Sequence, residues 1–299
     1  MKETSVIQAD NITLGLTLIH LYFAKGIIDQ YGIDGDSAVR KSLVKYATVR
    51  GEALRKVHMS LGMKTNLKNM FYYGSNPYSE ASFVNHMGHV TEQEDVRETT
   101  YCPLADEIIK RGQQYLATTY CEEVHPPLWQ SYAPTAIVNL GKTLSQVGGT
   151  KCTFDVFLRP GRMTAQQRKE CFEEYDPDFK GDRRDEYKVP RSKPGNCAQA
   201  VIMICSYYTK CRELLGDGVV AVFEDALDQW RADYVACLKK SAQEQGVAFD
   251  WDFCDKNNIF EREVHQDPWD QYGDEEITQF VKVNLYDKSV SYTHLTLPT

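Results

Sequence analysis

The stretch VRETTYCPLADEII, residues 96–109, decides the fold of this chain. Its first part, Val96–Tyr101, is rich in β-branched residues and predicts a strand. Its second part begins at Pro103, which suits the first turn of a helix because the N–H that proline lacks is not used there. A strand therefore leads directly into a helix, which favours a fold that combines both.

Helices are predicted on the N-terminal side of this stretch. Apolar residues recur at helical spacing over 11–31 and 37–61, and Gly62 follows the second segment as a C-terminal cap would. A short helix from Thr65 to Tyr73 comes next. The chain therefore opens with a helical region.

More strands and helices are predicted on both sides of the deciding stretch. Phe83, Met87 and Val90 indicate a first strand, and Gly148-Gly149 indicates a turn between two later ones. The predicted later elements are helices at 103–115 and 117–129 and strands at 137–144 and 152–158. Helices followed by a mixed, mainly antiparallel sheet with further helices give the α+β class.

The sequence also predicts a division of the chain into segments. Residues 1–160 form the α+β domain, and the charged, proline-containing stretch 161–196 is predicted to be a polar linker. Residues 197–289 are interpreted as a degenerate, truncated second copy. The last ten residues, 290–299, resemble translated sequencing-adapter DNA at the end of a metagenomic gene fragment, and we exclude them from the fold.

The interpretation as an internal duplication depends on matching positions. Two helices, 197–215 and 219–245, are followed by a strand-like segment at 279–286, as in the first copy. A shift of 184 positions pairs Leu43 with Leu227 and Gly62 with Gly246. Convergence on a common arrangement of elements is the open alternative.

Composition excludes some classes of function. The formal net charge of −8 argues against nucleic-acid binding, which needs clustered basic residues. The apolar segment Ile12–Ala24 is interrupted by His20 and is too short to span a bilayer, and the N-terminus lacks the features of a secretory signal. We therefore expect a cytoplasmic protein that acts on a small molecule, with no membrane partner and with mostly free thiols among its nine cysteines.

Reactive side chains are concentrated between Tyr101 and Cys152. Cys102 stands at a predicted helix start, where the helix dipole stabilises a thiolate, so it is the candidate nucleophile. His125 is a candidate proton relay near neutral pH, and Glu122 or the adjacent Glu123 a candidate general acid or base. The alternatives are a buried packing cysteine, a histidine that binds helix-end carbonyls, and glutamates on a solvated helix face.

Four short motifs in this region resemble those of the L-2-amino-thiazoline-4-carboxylic acid hydrolase family. They cover about residues 37–158 and are Arg50-Gly51-Glu52, Cys102-Pro103, Tyr120-Cys121-Glu122, and Lys142-Thr143-Leu144 leading through Gly148 to Cys152. Two positions depart from the family pattern. His125 stands where members usually have aspartate, and Gly149-Thr150 where acidic residues are common.

The resemblance implies hydrolysis of a cyclic amidine-like C–N bond, which opens a thiazoline ring towards a carbamoyl-cysteine. The implied catalytic residues are Cys102, Cys121, Glu122 and His125, with no metal and no cofactor. Arg50, Glu52 and Cys152 would bind the substrate, and a guanidinium at position 50 suits a carboxylate. A salt bridge for Arg50, and packing roles for Cys121 and Cys152, are the open alternatives.

Two other functions compete with hydrolysis. Cys102, Cys121, Cys152 and His125 could form a tetrahedral zinc site, although they lack the short paired spacing of structural zinc sites. The chain could also be a non-catalytic module that binds a small ligand or a partner, as a homo-oligomer or as an internal pseudo-dimer of its two copies.

Overall fold

A computed structural model of the chain describes residues 4–74, 83–172, 193–260 and 275–288. Most of the predicted linker, 173–192, and the predicted non-native tail, 290–299, lie outside these residues. Within them, long helices pack beside a small antiparallel sheet, so the predicted α+β class is confirmed.

The longest element is α1, Thr4–Ser60, which contains both helices predicted for the N-terminal region. Its two halves meet at Gly32, whose φ of 58° and ψ of −128° are not helical. Glycine has no Cβ and therefore adopts this backbone conformation without a steric clash. Gly62, at φ 74°, terminates the element in the left-handed region, as its capping role predicts.

The apolar part of α1 is longer than the segment Ile12–Ala24, which the sequence suggested was too short to span a bilayer. By length and composition, α1 is the one helix of the described chain that could cross a membrane. Most of its apolar window is nevertheless buried inside the protein. His20, which interrupts the window, is fully buried and contacts the hydroxyl of Tyr207 and the carbonyl of Leu116. Core helices show the same features, so localisation stays a proposal.

The sheet has four strands in the spatial order β1-β2-β4-β3, and each neighbouring pair is antiparallel. The strands are β1 (Val84–Val90), β2 (Glu94–Tyr101), β3 (Ile137–Leu140) and β4 (Cys152–Phe157). All four lie where the sequence predicts strands. The third is shorter than predicted, because residues 141–151 form a turn-containing loop that includes Gly148 at φ 71°.

Short and medium helices accompany the sheet. They are α2 (Leu67–Tyr72), α3 (Pro103–Lys110), α4 (Gln114–Tyr132) and α5 (Ala165–Cys171). The predicted helix 103–115 is wrong in its C-terminal end, since Gly112 at φ 74° separates α3 from α4. Helix α4 continues through Pro126 and Pro127, so His125 is not at a helix end.

The start of the predicted polar linker is ordered. A capping box between Thr164 and Gln167 begins α5, and Cys171 and Phe172 at its end are buried against the sheet-side core. Residues 165–172 therefore form packed structure instead of an irregular solvated connection.

The regular elements of the C-terminal segment are all helices in its described residues. Its elements are α6 (Lys193–Leu215), α7 (Val219–Gln245), α8 (Trp251–Asn257), α9 (Glu275–Val281) and a π-helical turn (Lys282–Asp287). The strand predicted at 279–286 is wrong. The buried residues of α9 and the π-helical turn recur at helical spacing, and they are Ile277, Phe280, Val281, Asn284 and Leu285.

Two large hydrophobic clusters form most of the core, and Met63 and Tyr73 form a small third one. The larger one joins α1, α3 and α4 with α6, α7, α8 and α9 of the C-terminal segment. Trp230 of α7 donates its indole N–H to the Gly15 carbonyl at 2.9 Å, which ties the two predicted segments together. The smaller cluster joins the end of α1, α2, α4 and α5 with the inner face of β4.

Candidate functional site

A cavity of about 240 Å³ lies where the two hydrophobic clusters meet. One wall is the inner face of the sheet, and the other walls are α1, α2, α4 and the start of α3. Gln199 of α6 also lines the cavity, so the C-terminal segment contributes to it. Its polar or reactive lining residues are Thr13, Arg50, Asn85, Asp95, Arg97, Thr99, Cys102, Tyr120, Cys121, His125, Cys152 and Gln199.

Most of the site residues predicted from the sequence line this one cavity. They come from α1, the start of α3, α4 and β4, and they are Arg50, Cys102, Cys121, His125 and Cys152. Glu52 and Glu122 do not line the cavity and are exposed. Glu123 is bound at 2.7 Å by Arg40 on the outer side of the helices. We therefore assign these glutamates no role in the cavity.

Cys102 occupies the N-cap position of α3, and Pro103 follows at the first helical position. The backbone N–H groups of Ala105 and Leu104 point towards its sulfur and favour a thiolate. Burial outweighs them, because it disfavours the charged form, and it raises the pKa of the Cys102 thiol to about 12. The protein thus holds Cys102 as a neutral thiol at physiological pH.

The other two cavity cysteines are also neutral. Burial raises the pKa values of both Cys121 and Cys152. A hydrogen bond with the Ser145 hydroxyl opposes this shift at Cys121, and the Leu144 N–H, 3.2 Å from the sulfur, opposes it at Cys152. No three His, Cys, Asp or Glu side chains in the described part of the chain are arranged to hold a metal ion. The arrangement of these cysteines therefore gives no support to a zinc site.

His125 is held in a defined tautomer. Its Nδ1 lies 2.8 Å from the carbonyl oxygen of Cys121, one turn earlier in α4, so Nδ1 carries the proton that is donated. Burial, with smaller contributions from the charges of Arg97 and Arg50, lowers the pKa of His125 to about 4, although the hydrogen bond to Cys121 opposes this shift. The ring is therefore neutral at pH 7 and its Nε2 is an acceptor. Trp129 stacks beside it at 5.8 Å between ring centroids.

Arg50 is positioned by two tyrosines. Its Nη1 donates to the hydroxyl of Tyr46 at 3.1 Å, and the guanidinium carbon lies 5.1 Å from the centre of that ring. Tyr46 is fully buried and also accepts a hydrogen bond from Tyr120, another cavity residue. These contacts hold the Arg50 guanidinium group in place at the cavity wall.

Gly51, the middle residue of the Arg50-Gly51-Glu52 motif, lets α1 and α4 approach closely. A Cβ at this position would lie 2.5 Å from the carbonyl oxygen of Leu128 and 2.8 Å from Cβ of Ser131. The motif thus combines a crossing point between two helices with a cation that faces the cavity.

Sequence reasoning missed two charged cavity residues on β2, Asp95 and Arg97. Asp95 is 1% exposed, and its carboxylate accepts a hydrogen bond from the indole of Trp129. The guanidinium carbon of Arg97 lies within 5.5 Å of three ring centres, those of Phe71, Trp129 and Phe154. Burial raises the pKa of Asp95 and the charge of Arg97 opposes that shift.

The sequence does contain a signal for these residues. Arg97 and Thr99 alternate along the predicted strand Val96–Tyr101, and Asp95, just before it, continues the same alternation, so the three share one face of the sheet. Strand pairing places Thr99 beside Asn85, to which its hydroxyl donates at 2.7 Å, and opposite Cys152. Three polar residues on the inner face of a strand indicate that this face borders a cavity, because polar groups packed in an apolar core would lack hydrogen-bond partners.

The cavity therefore combines two guanidiniums, one buried carboxylate, a neutral imidazole and three neutral thiols among aromatic rings. No protein-family model, curated protein or solved structure matches this chain.

Proposed function

We propose that this cavity binds a small ring carboxylate and hydrolyses a cyclic amidine-like C–N bond in it, as the resemblance to the L-2-amino-thiazoline-4-carboxylic acid hydrolase family implies. One observation carries the proposal. Arg50, Cys102, Cys121 and Cys152, which come from four separate motifs of that resemblance, line the same cavity, together with His125.

The size and lining of the cavity suit such a substrate. A volume of about 240 Å³ is below the range of roughly 300–1,000 Å³ that is typical for drug-sized ligands, so the ligand is a small molecule. Arg50 and Arg97 supply two cations for a carboxylate. Trp129 and Phe154 supply flat apolar surfaces for a ring.

His125 is the group best suited to activate water. Because its Nδ1 donates to the Cys121 carbonyl, its Nε2 is free of a proton and can accept one from a water molecule. A pKa of about 4 makes this a weak base in the empty cavity. A bound carboxylate would offset the charges of Arg50 and Arg97, which raises the basicity of the imidazole when substrate is present.

We assign the attack on the ring carbon to water and not to Cys102. A thiol whose pKa is about 12 supplies very little thiolate at neutral pH, and the thiolate is the nucleophilic form. After attack, the proton taken up by His125 passes to the ring nitrogen as the C–N bond breaks. The carbonyl carbon stays on sulfur, so the product of this step is S-carbamoyl-cysteine. Cys102, Cys121 and Cys152 then serve as a neutral wall around the reacting ring.

Turnover of L-2-amino-thiazoline-4-carboxylate by the full chain tests this proposal. We expect release of carbamoyl-cysteine, detected by mass spectrometry, and its loss in His125→Asn. Asparagine can keep a donor towards the Cys121 carbonyl but has no basic nitrogen. His86→Asn is the matched control, because His86 is exposed and does not line the cavity. Binding of the ring carboxylate without turnover by the wild-type protein would contradict hydrolysis.

A second candidate function is binding without catalysis. Two observations favour it. The exposure of Glu52 and Glu122 removes a predicted substrate-binding residue and the predicted general acid or base, and the raised pKa values of the cavity thiols remove the predicted nucleophile. Tight binding of the ring carboxylate with no product in any condition would support this function.

A further inference from the structure

Three buried polar atoms around the cavity make no hydrogen bond within the described residues. They are Nε of Arg50, Oδ1 of Asp95 and Nε of Arg97. Buried polar atoms are rarely left without hydrogen bonds, because the water that they lose is not replaced. Their concentration around one cavity points to a ligand that supplies the missing partners.

Oδ1 of the Asp95 carboxylate is open. The Trp129 indole interacts with the carboxylate and lowers its pKa against the effect of burial, whereas Oδ1 has no hydrogen bond. Nε of Arg97 lies 3.2 Å from Oδ1, an ion-pair distance, but both atoms lack hydrogen-bond geometry. Oδ1 can therefore accept a hydrogen bond from a ligand N–H while keeping its charge contact with Arg97.

The open carboxylate and the open guanidinium groups need opposite kinds of hydrogen-bond partner. Asp95 accepts hydrogen bonds when ionised, and the guanidiniums of Arg50 and Arg97 only donate. Asp95 and Arg97 are two positions apart on β2, so both side chains lie on the same face of the sheet. A ligand that satisfies both must carry an N–H donor and a carboxylate within a small distance of each other.

We propose that Asp95 is a specificity-determining residue, which binds a positively charged amidine or amino nitrogen of the ligand while Arg50 and Arg97 bind its carboxylate. This inference rests on the proposed function and names the group that would distinguish substrates from plain ring carboxylates. The buried carboxylate is complementary to a dipolar ligand and leaves Oδ1 unpaired when the ligand has no donor. A site built around such a group rejects an analogue that lacks it.

Calorimetric titration of the full chain with two ligands tests the proposal. L-2-amino-thiazoline-4-carboxylate carries the amino donor, and thiazole-4-carboxylate keeps a similar ring and the carboxylate without it. We expect the first ligand to bind ~10–100-fold more tightly to the wild-type protein, as for a hydrogen bond to a charged group. This comparison needs no variant and is independent of any folding defect.

Two variants locate the discrimination in Asp95. Asp95→Asn removes the charge at nearly constant size and should bring the two affinities together. Glu98→Gln is the matched control, because Glu98 lies on the same strand with its side chain on the opposite, half-exposed face, where it binds Lys151. It should keep the wild-type discrimination.

The outcomes separate this inference from the proposed function. Equal affinity of the wild-type protein for the two ligands, or preserved discrimination in Asp95→Asn, would overturn the role of Asp95 even if turnover is observed. Strong discrimination without carbamoyl-cysteine release would support Asp95 and overturn the hydrolase proposal alone. Failure of both ligands to bind would overturn both.

Discussion

Gly51 of α1 and Leu128 of α4 lie so close that no side chain fits between them. A Cβ on Gly51 would stand 2.5 Å from the Leu128 carbonyl oxygen, below any ordinary contact distance. The residue before Gly51 is the cavity cation Arg50, and Leu128 itself lines the cavity. This helix crossing therefore sets the width of the site as well as the packing of two helices.

We predict that Gly51→Ala lowers the free energy of unfolding by about 1–3 kcal/mol, the usual effect of overpacking. The effect should appear although alanine favours helix over glycine by about 1 kcal/mol. Urea unfolding measures it. Gly161→Ala is the control, because a Cβ there meets no atom within 4 Å, and it should change stability by no more than ~0.5 kcal/mol. Wild-type stability in Gly51→Ala would contradict the crossing geometry.

Cys102 should react slowly with alkylating agents. Because burial raises its pKa to about 12, the thiolate is scarce at pH 7.5, and iodoacetamide labelling should be on the order of a hundredfold slower than in urea-unfolded protein. Mass spectrometry of the peptide that contains Cys102 measures both rates. Equal rates in folded and unfolded protein would restore Cys102 as the nucleophile. Cys102→Ala should retain turnover.

Acid should destabilise the fold through buried histidines. His20 and His58 are fully buried, each with Nδ1 facing a tyrosine hydroxyl and Nε2 facing a backbone carbonyl, and burial lowers the pKa of each to about 4. The unfolded chain binds these protons near the usual pKa of 6.5, so their contribution is complete above pH 6.5 and is lost as the pH falls towards 4.

The predicted loss is about 1.4 kcal/mol per pH unit for each of these two histidines within that window, and His125, whose pKa burial also lowers to about 4, adds to it. Urea unfolding at pH 7.5, 6.5, 6.0 and 5.0 measures it as roughly constant stability above pH 6.5 and a decline below. His20→Gln should make the decline shallower. A free energy of unfolding that stays constant or rises between pH 6.5 and 5.0 would show that these histidines are not held neutral.

The sequence predicted the parts of the site that belong to short local motifs. Cys102-Pro103 marks a helix start, and the structure has Cys102 at the N-cap of α3. The helical spacing of α4 brings Cys121 and His125 to one face, since they are four residues apart. Local patterns of this kind need no knowledge of how distant elements pair.

The parts that were missed depend on packing between distant elements. Asp95 and Arg97 become cavity residues because β2 pairs with β1 and β4 and turns this face towards α4. Glu122 follows Cys121 in the chain, yet the helix turns it outward. Residues 279–286 were predicted as a strand from their strand-like pattern and their place in the proposed second copy, whereas their buried positions follow a helical period, and Phe280 packs on Tyr208 of α6.

The central claim is that Arg50 and Arg97 bind one carboxylate in this cavity, and a double-mutant cycle tests it most directly. Calorimetry would give the Kd of L-2-amino-thiazoline-4-carboxylate for the wild type, Arg50→Gln, Arg97→Gln and the double variant. The control is Arg159→Gln, because Arg159 is exposed and packs on Phe157 away from the cavity.

We predict that each single cavity variant raises Kd about tenfold or more and that the control leaves it unchanged. The double variant should lose less affinity than the product of the two single losses, because both cations act on the same group. Unchanged Kd in either single cavity variant, or losses that simply multiply, would contradict the shared carboxylate site.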